Sequence, residues 1–140
     1  MESPPTPPME NHTKAMNRRT PLSRTTPLRP VSAKQRGAKG RLGNAYRVVD
    51  AGPRACFACG SSFQLTHSHT LTQKQFPRHA ANPANVVLEC IGCHALYEHN
   101  KAGYALRFPE AFAAKLATIR QLEPQYYALQ ALKHPNLFTV

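Results

Sequence analysis

The sequence predicts a small α+β domain in which strand, loop, strand and helix follow one another and four cysteines staple the unit together. Two observations predict this class. The cysteines stand in two CxxC pairs, Cys56/Cys59 and Cys90/Cys93. The segments between them carry strand-like apolar runs separated by a polar loop. With 140 residues, 8% aromatic residues and no Trp, the core is modest, and small domains often need a metal or disulfides for stability.

Residues 1–40 are predicted to form a disordered, Pro-rich basic arm. Seven of the 13 prolines fall before residue 31 and apolar residues are sparse there, so the stretch buries too little surface to offset its ordering entropy. Up to Arg54 the chain holds 11 Lys and Arg against 3 acidic residues, and the whole chain has a net charge of +11. A protein this basic usually meets a polyanion such as nucleic acid.

Cysteine usage and hydropathy predict the compartment and a bound metal. No apolar run is long enough for a transmembrane helix, and the N-terminus lacks the apolar stretch of a secretory signal. We therefore expect a cytoplasmic protein without a membrane partner, in which cysteines stay reduced. There, two CxxC pairs indicate zinc ligands rather than disulfides. A closed four-thiolate site has no open position, so this zinc is expected to be structural.

The domain core is predicted to span residues 41–103. A helix is expected at its beginning, at about Lys39–Val49, with Leu42, Tyr46 and Val49 on one face, and Gly52-Pro53 ends this helix. The remaining predicted elements, in order, are a cysteine turn at 56–60 with Gly60 permitting it, a strand at 63–71, a polar loop at 73–85, a strand at 86–89, and a helix at 93–101 with Gly103 as its C-cap.

Residues 104–140 are predicted to form a helical extension. Pro109-Glu110 is a favourable helix start, and Phe112, Leu116, Ile119 and Leu122 form an apolar stripe typical of core packing. Pro124 is expected to start a further helix, with Tyr127 and either Ala131 or Leu132 facing inward, and Pro135 to stop it.

Histidines and an asparagine lie between and beside the cysteine pairs. The segments Leu65-Thr66-His67-Ser68-His69-Thr70-Leu71 and Asn85-Val86-Val87-Leu88-Glu89-Cys90-Ile91-Gly92-Cys93-His94 resemble the HNH endonuclease family. More narrowly, they are similar to the small four-cysteine HNH proteins of bacteriophages and mobile elements. The resemblance covers roughly residues 56–99. It implies a ββα-metal (His-Me finger) fold and metal-dependent hydrolysis of DNA phosphodiester bonds.

The resemblance implies a role for each of three residues. His69 matches the general base that activates water, work that suits a neutral imidazole at physiological pH. Asn85 matches the middle Asn, which orients the catalytic histidine or helps hold the metal. His94 matches a ligand of one divalent cation, Mg²⁺ or Mn²⁺, which would stabilise the departing 3′ oxygen.

Two positions depart from the family pattern. Ser68 stands where the family often has an Asp or His metal ligand; His67, one residue further back, would substitute for it only after a local twist of the strand. Glu98 stands where a further His often follows. Its i, i+4 relation to His94 puts both on one helix face, and a carboxylate coordinates Mg²⁺ well. The alternative for Glu98 is an ordinary solvated carboxylate.

The expected partner is DNA, double-stranded or branched, with Lys74, Arg78 and Lys101 holding its backbone. Phage packaging or recombination proteins are further possible partners. Phosphate contacts carry no sequence information directly, so no sequence preference is predicted. The alternative function is a zinc-stapled DNA-binding module that does not cut, which Ser68 favours. Cleavage of DNA with a divalent cation distinguishes the two.

Overall fold

The computed structural model describes residues 31–138 and shows a small α+β fold in that range. It has one two-stranded antiparallel sheet surrounded mostly by helices. The elements in chain order are α1 (Ala33–Asp50), β1 (Leu65–His69), β2 (Val86–Cys90), α2 (Ile91–His99), α3 (Lys101–Arg107), α4 (Pro109–Leu122), α5 (Pro124–Lys133) and α6 (Pro135–Phe138). Two short 3₁₀ turns, Pro77–His79 and Pro83–Asn85, lie in the loop between the strands.

Helix α1 begins six residues before the predicted start, at Ala33. Ser32 and Gln35 form a capping box, in which each side chain accepts a hydrogen bond from the other residue's backbone N–H. The prediction that residues 33–40 belong to a disordered arm is therefore wrong. The rest of the predicted arm, residues 1–30, lies outside the described residues. Ala45 is buried and its neighbours Leu42 and Tyr46 are half-buried, so the helix docks through the predicted face.

The strands pair in the order that the sequence predicts. Leu65 lies opposite Cys90, and His69 lies opposite Val86. At one end of the pair, the loop between the strands is closed by a hydrogen bond from Thr70 N to Asn85 O (2.9 Å). At the other end, Ile91 N, next to Cys90, donates to Gln64 O at 3.2 Å just before β1. The sheet thus joins the second cysteine pair to the histidine-bearing strand.

Asn100 separates α2 from α3 and corrects the predicted end of α2. Its side-chain oxygen accepts a hydrogen bond from Gly103 N at 2.8 Å, which caps the start of α3. The predictions that α2 runs to Lys101 and that Gly103 is its C-cap are both wrong, because α2 ends at His99. A Cβ atom at Gly103 would lie 2.6 Å from Asn100 Nδ2, so glycine leaves room for the cap.

The C-terminal helices bury the predicted stripe. Phe112, Leu116 and Ile119 are buried in the core beside Tyr97 and Tyr104. In α5, Tyr127 and Ala131 are half-buried, whereas Leu132 is 80% exposed, so Ala131 is the residue that faces inward. Helix α5 ends at Lys133, before Pro135 as predicted, and Pro135 starts the short helix α6. No helix within residues 31–138 is both long enough and apolar enough to cross a membrane.

A buried ion pair joins β2 to α4 in the core. Lys115 Nζ lies 3.1 Å from Glu89 Oε2, and the two side chains are 1% and 0% exposed. Tyr104 donates its hydroxyl proton to the same carboxylate, and the Lys115 ammonium lies 3.9 Å from the centroid of the Tyr97 ring. Burial lowers the pKa of Lys115, and the attraction of Glu89 opposes that shift.

Candidate functional site

The four cysteine sulfurs converge on one point. All four lie within 4.8 Å of one another, and the sulfurs of Cys59 and Cys90 are 3.8 Å apart. A tetrahedral zinc ion with Zn–S bonds of about 2.3 Å requires sulfurs roughly 3.8 Å apart. The cluster therefore fits a structural metal such as zinc, and none of the four cysteines is in a disulfide.

Short backbone hydrogen bonds shape the first cysteine turn. Gly60 N donates to Cys56 O at 2.8 Å, and Cys56 N donates to Ser61 O at 2.7 Å. Gly60 has a φ of 75°, a left-handed conformation that glycine adopts without strain. Phe57 N donates to Leu88 O at 2.7 Å, which fastens the turn to β2. The first CxxC pair thereby meets the second, which lies at the junction of β2 and α2.

The crowding of the thiols favours a bound cation. Burial and the neighbouring sulfurs of Cys90, Cys59 and Cys56 raise the pKa of Cys93. Burial also acts against ionisation of Cys56, but backbone N–H groups around its sulfur outweigh it and lower the pKa to about 7. Four thiolates this close repel one another, and a divalent cation removes that repulsion.

A cleft of about 440 Å³ lies beside the cysteine-stapled unit. Strand β1, the loop after it, helix α2 and the first residue of α3 supply its walls. The structure brings four of the candidate catalytic and metal-binding residues, together with two of the candidate phosphate-binding lysines, to this one cleft. Its lining residues are His67, His69, Thr72, Gln73, Lys74, His94, Tyr97, Glu98 and Lys101.

His69 is held as a neutral imidazole, and one of its ring nitrogens carries a lone pair that could act as a base. Its Nε2 lies 3.1 Å from Ala80 O. A carbonyl oxygen only accepts hydrogen bonds, so Nε2 carries the proton and Nδ1 keeps its lone pair. Gln73 Nε2 lies 3.2 Å from that Nδ1. Burial lowers the pKa of His69 below the ordinary value, although the Ala80 carbonyl opposes the shift. The ring is therefore uncharged at neutral pH.

Asn85 is fully buried and holds the loop rather than lining the cleft. Its Oδ1 accepts from Leu71 N at 2.7 Å, and its Nδ2 donates to Leu71 O at 3.0 Å and His79 O at 3.1 Å. Ala80, whose carbonyl receives His69 Nε2, is next to His79 in the chain. Asn85 therefore positions His69 through the loop backbone. Its side-chain amide is occupied by these three contacts, so the structure does not direct it at a metal.

His94 is oriented by Thr66. The Thr66 hydroxyl lies 3.1 Å from Glu89 O, to which it donates, and 2.9 Å from His94 Nδ1. With its own proton committed to Glu89, the Thr66 oxygen accepts from His94, which fixes the proton on Nδ1. Nε2 is left facing Glu98 Oε1 at 3.2 Å. A histidine that binds a metal through one ring nitrogen usually makes a hydrogen bond through the other.

Two neighbouring residues of β1, Ser68 and His67, point to opposite sides of the strand. Ser68 is fully buried, with Lys115 Nζ 3.5 Å from its Oγ, so it faces the core and is not available to the cleft. His67 lines the cleft and is stacked on Tyr46, with ring centroids 4.0 Å apart. Its Nε2 lies 3.0 Å from Asp50 Oδ1, which fastens β1 to α1.

The candidate metal ligands of the cleft do not form a convergent set. Within residues 31–138, the cysteines are the one group of three or more Cys, His, Asp or Glu side chains whose ligand atoms cluster tightly enough for an ion. His94 and Glu98 face each other, whereas His67 is engaged by Asp50.

Two of the three predicted backbone-binding cations line the cleft. Lys74 is exposed, and no acidic residue in the described part of the chain pairs with it. Lys101 donates to Tyr97 O at 3.1 Å and lies over that ring, and desolvation lowers its pKa. Arg78 does not line the cleft.

Arg78 and His79 instead form an ion-paired cluster that sequence reasoning missed. Arg78 Nε and His79 Nε2 both lie 2.6 Å from Glu123 Oε1, and the Arg78 guanidinium is the main cause of the lowered pKa of Glu123. Glu123 precedes α5, 44 residues beyond His79. The cluster therefore anchors the inter-strand loop to the C-terminal helices.

Comparison of the chain with protein-family models, with curated proteins and with solved structures gave no match.

Proposed function

We propose that the chain is a zinc-stapled HNH-type endonuclease that hydrolyses DNA phosphodiester bonds with the help of one divalent cation. The observation that carries the proposal is that one cleft holds both a neutral His69, whose Nδ1 carries a lone pair beside Gln73, and His94, whose Nε2 faces Glu98. The motif resemblance of the sequence supports the same assignment, with β1, β2 and α2 as the ββα-metal unit.

In the proposed mechanism, His69 is the general base. Its Nδ1 accepts a proton from the attacking water, and the Ala80 carbonyl stabilises the imidazolium that forms by accepting from Nε2. Gln73 occupies the position next to Nδ1, so we expect its side chain to move aside or to bind the water. Asn85 maintains this geometry by holding the loop that presents the carbonyl.

His94 Nε2 and Glu98 are the residues that would hold Mg²⁺ or Mn²⁺. Imidazole nitrogen and carboxylate oxygen are suitable donors for these ions. When bound, the cation would stabilise charge on the phosphate and on the departing 3′ oxygen. Thr66 would keep His94 Nε2 free for the ion, and Lys74 and Lys101 would attract the phosphate backbone.

The cysteine cluster has a separate role in this proposal. We assign it a structural zinc ion, because four thiolates close the coordination sphere and leave no position for water or substrate. The zinc would hold the start of β1 to the start of α2 and thereby fix His69 relative to His94.

The resemblance to bacteriophage and mobile-element proteins also extends the proposal to partners and location. The substrate would be double-stranded or branched DNA in the cytoplasm of a host cell, with packaging or recombination proteins as possible partners.

Plasmid cleavage tests the proposal. The zinc-loaded full chain is incubated with supercoiled plasmid and Mg²⁺ or Mn²⁺, beside His69→Ala and His134→Ala. His134 is exposed and outside the cleft, so its variant controls for loss of an imidazole. We expect nicking by the wild type and His134→Ala, and a loss of at least about 100-fold in His69→Ala, the usual range for general bases. Equal activity of all three proteins would exclude His69 as the base.

A zinc-stapled DNA-binding module without nuclease activity is the second candidate. It is favoured by the lack of a convergent metal-ligand set in the cleft among the described residues. DNA binding without nicking under either cation would support this function instead.

A further inference from the structure

A second concave surface lies between the first half of α1 and the inter-strand loop. This groove has a volume of about 590 Å³. Lys39, Arg41 and Leu42 of α1 line it on one side, and Arg78 lines it from the loop. None of the described residues that line the groove is acidic.

The α1 cations of the groove are free to bind an anion. Lys39 and Arg41 are exposed, and neither forms an ion pair with an acidic residue in the part of the chain that the structure describes. The one acidic residue of α1, Asp50, lies at the opposite end of the helix and contacts His67. Arg78 is partly neutralised by Glu123, so Lys39 and Arg41 supply most of the local positive potential.

The groove continues into the cleft. Gln73 lines both surfaces, and its Nε2 lies 3.4 Å from the hydroxyl of Tyr46 and 3.1 Å from His69 Nε2. Lys39 and Arg41 precede Tyr46 by seven and five residues, so they lie about 8–10 Å along the helix axis from the cleft.

We propose that this groove binds the phosphodiester backbone of DNA next to the phosphate that occupies the cleft. Lys39 and Arg41 each contact one phosphate, and Gln73 lies where the strand passes from groove to cleft. The inference rests on the proposed function for its substrate. It adds α1 as a DNA-binding element, a role that differs from its packing against the strands.

Salt-dependent binding separates this proposal from the nuclease activity. A short duplex is titrated with the zinc-loaded full chain carrying His69→Ala, in Mg²⁺, at several salt concentrations. The same titration is made after adding Lys39→Ala and Arg41→Ala. A matched variant adds Arg120→Ala and Lys133→Ala, which remove the same charge from exposed positions of α4 and α5. Circular dichroism of each variant checks that α1 remains helical.

Each phosphate contact contributes about 0.9 to the slope of log K against log salt on duplex DNA. We expect the Lys39/Arg41 variant to lower the slope by about 1.8 and the Arg120/Lys133 variant to leave it nearly unchanged. Equal slopes in the two variants, or no binding of DNA by the parent chain, would overturn the proposal. Stronger binding to an RNA duplex, with the same loss, would overturn the assignment to DNA. If the Lys39/Arg41 variant lowers the slope but the wild-type chain never nicks plasmid, the groove binds DNA and the proposed nuclease activity is refuted.

Discussion

Replacement of Asn85 by Ala tests whether this residue holds the loop or touches the reacting groups. The side chain is fully buried and makes three hydrogen bonds to backbone groups of Leu71 and His79. Asn85→Ala removes the partner of each. A typical hydrogen bond contributes about 1 kcal/mol net, and a buried group left without a partner costs about 1–3 kcal/mol. Three such losses, partly relieved by water entering the loop, predict a decrease of about 3–5 kcal/mol in the free energy of unfolding.

The assay is urea denaturation of the zinc-loaded full chain, with the free energy of unfolding obtained by linear extrapolation. Asn82→Ala is the matched control in the same loop. Its side chain makes a single hydrogen bond, to Ala84 N at 3.0 Å, so we expect a cost of about 1 kcal/mol or less. If Asn85→Ala is as stable as Asn82→Ala and yet loses DNA cleavage, Asn85 acts directly at the metal or substrate, and the loop-holding role is refuted.

Three further predictions address the ion pair, the metal and pH. Lys115→Met leaves Glu89 charged and buried without its cation, so we expect the free energy of unfolding in urea to fall by about 3–5 kcal/mol. Lys133→Met, at an exposed position, should change that free energy by less than about 0.5 kcal/mol. Equal effects of the two substitutions would contradict a stabilising role of the buried ion pair. Removal of zinc with a chelator, or Cys90→Ser, should abolish the cooperative unfolding transition, measured by circular dichroism, whereas retention of the folded signal would show that the metal is not needed. Burial holds the pKa of His69 below 6.5, so the unfolded chain binds a proton more readily. The contribution of His69 to stability is therefore complete above pH 6.5 and is lost as pH falls from there through the folded pKa. The rate of cleavage should decline as pH falls through the pKa of His69 in the folded protein. A midpoint above pH 6.5 in the pH–rate profile would contradict the assignment of His69 as a neutral base.

Local patterns in the sequence predicted the cysteine-stapled unit well. The CxxC pairs, the two strands and the stripe of α4 each depend on short-range periodicity or spacing, and the structure contains all of them. The capping box at Ser32 was equally local, but the high polarity of the surrounding residues led to a prediction of disorder. In the same way, Gly103 favours a helix end by its residue type, but in the fold it donates to the capping side chain of Asn100.

Long-range pairings account for most of what the sequence did not predict. Glu89 and Lys115 are 26 residues apart, and Thr66 lies 28 residues from His94. No periodic pattern marks such pairs, although a lysine within the apolar stripe of α4 was a signal that its charge needed a buried partner. The strand alternation did indicate that Ser68 and His67 face opposite sides. Only the docking of α4 and α1 shows that Ser68 lies in the core and His67 at the cleft.

The chemistry of the broken ends tests the central claim most directly. Plasmid nicked by the full chain in Mn²⁺ is purified and treated with a DNA ligase that requires a 3′ hydroxyl and a 5′ phosphate. A water activated by His69, with a cation on the departing 3′ oxygen, predicts those ends, so ligase should reseal the nicks and His69→Ala should produce none. Nicks that ligase cannot reseal, or nicks made equally by His69→Ala, would contradict the proposed mechanism.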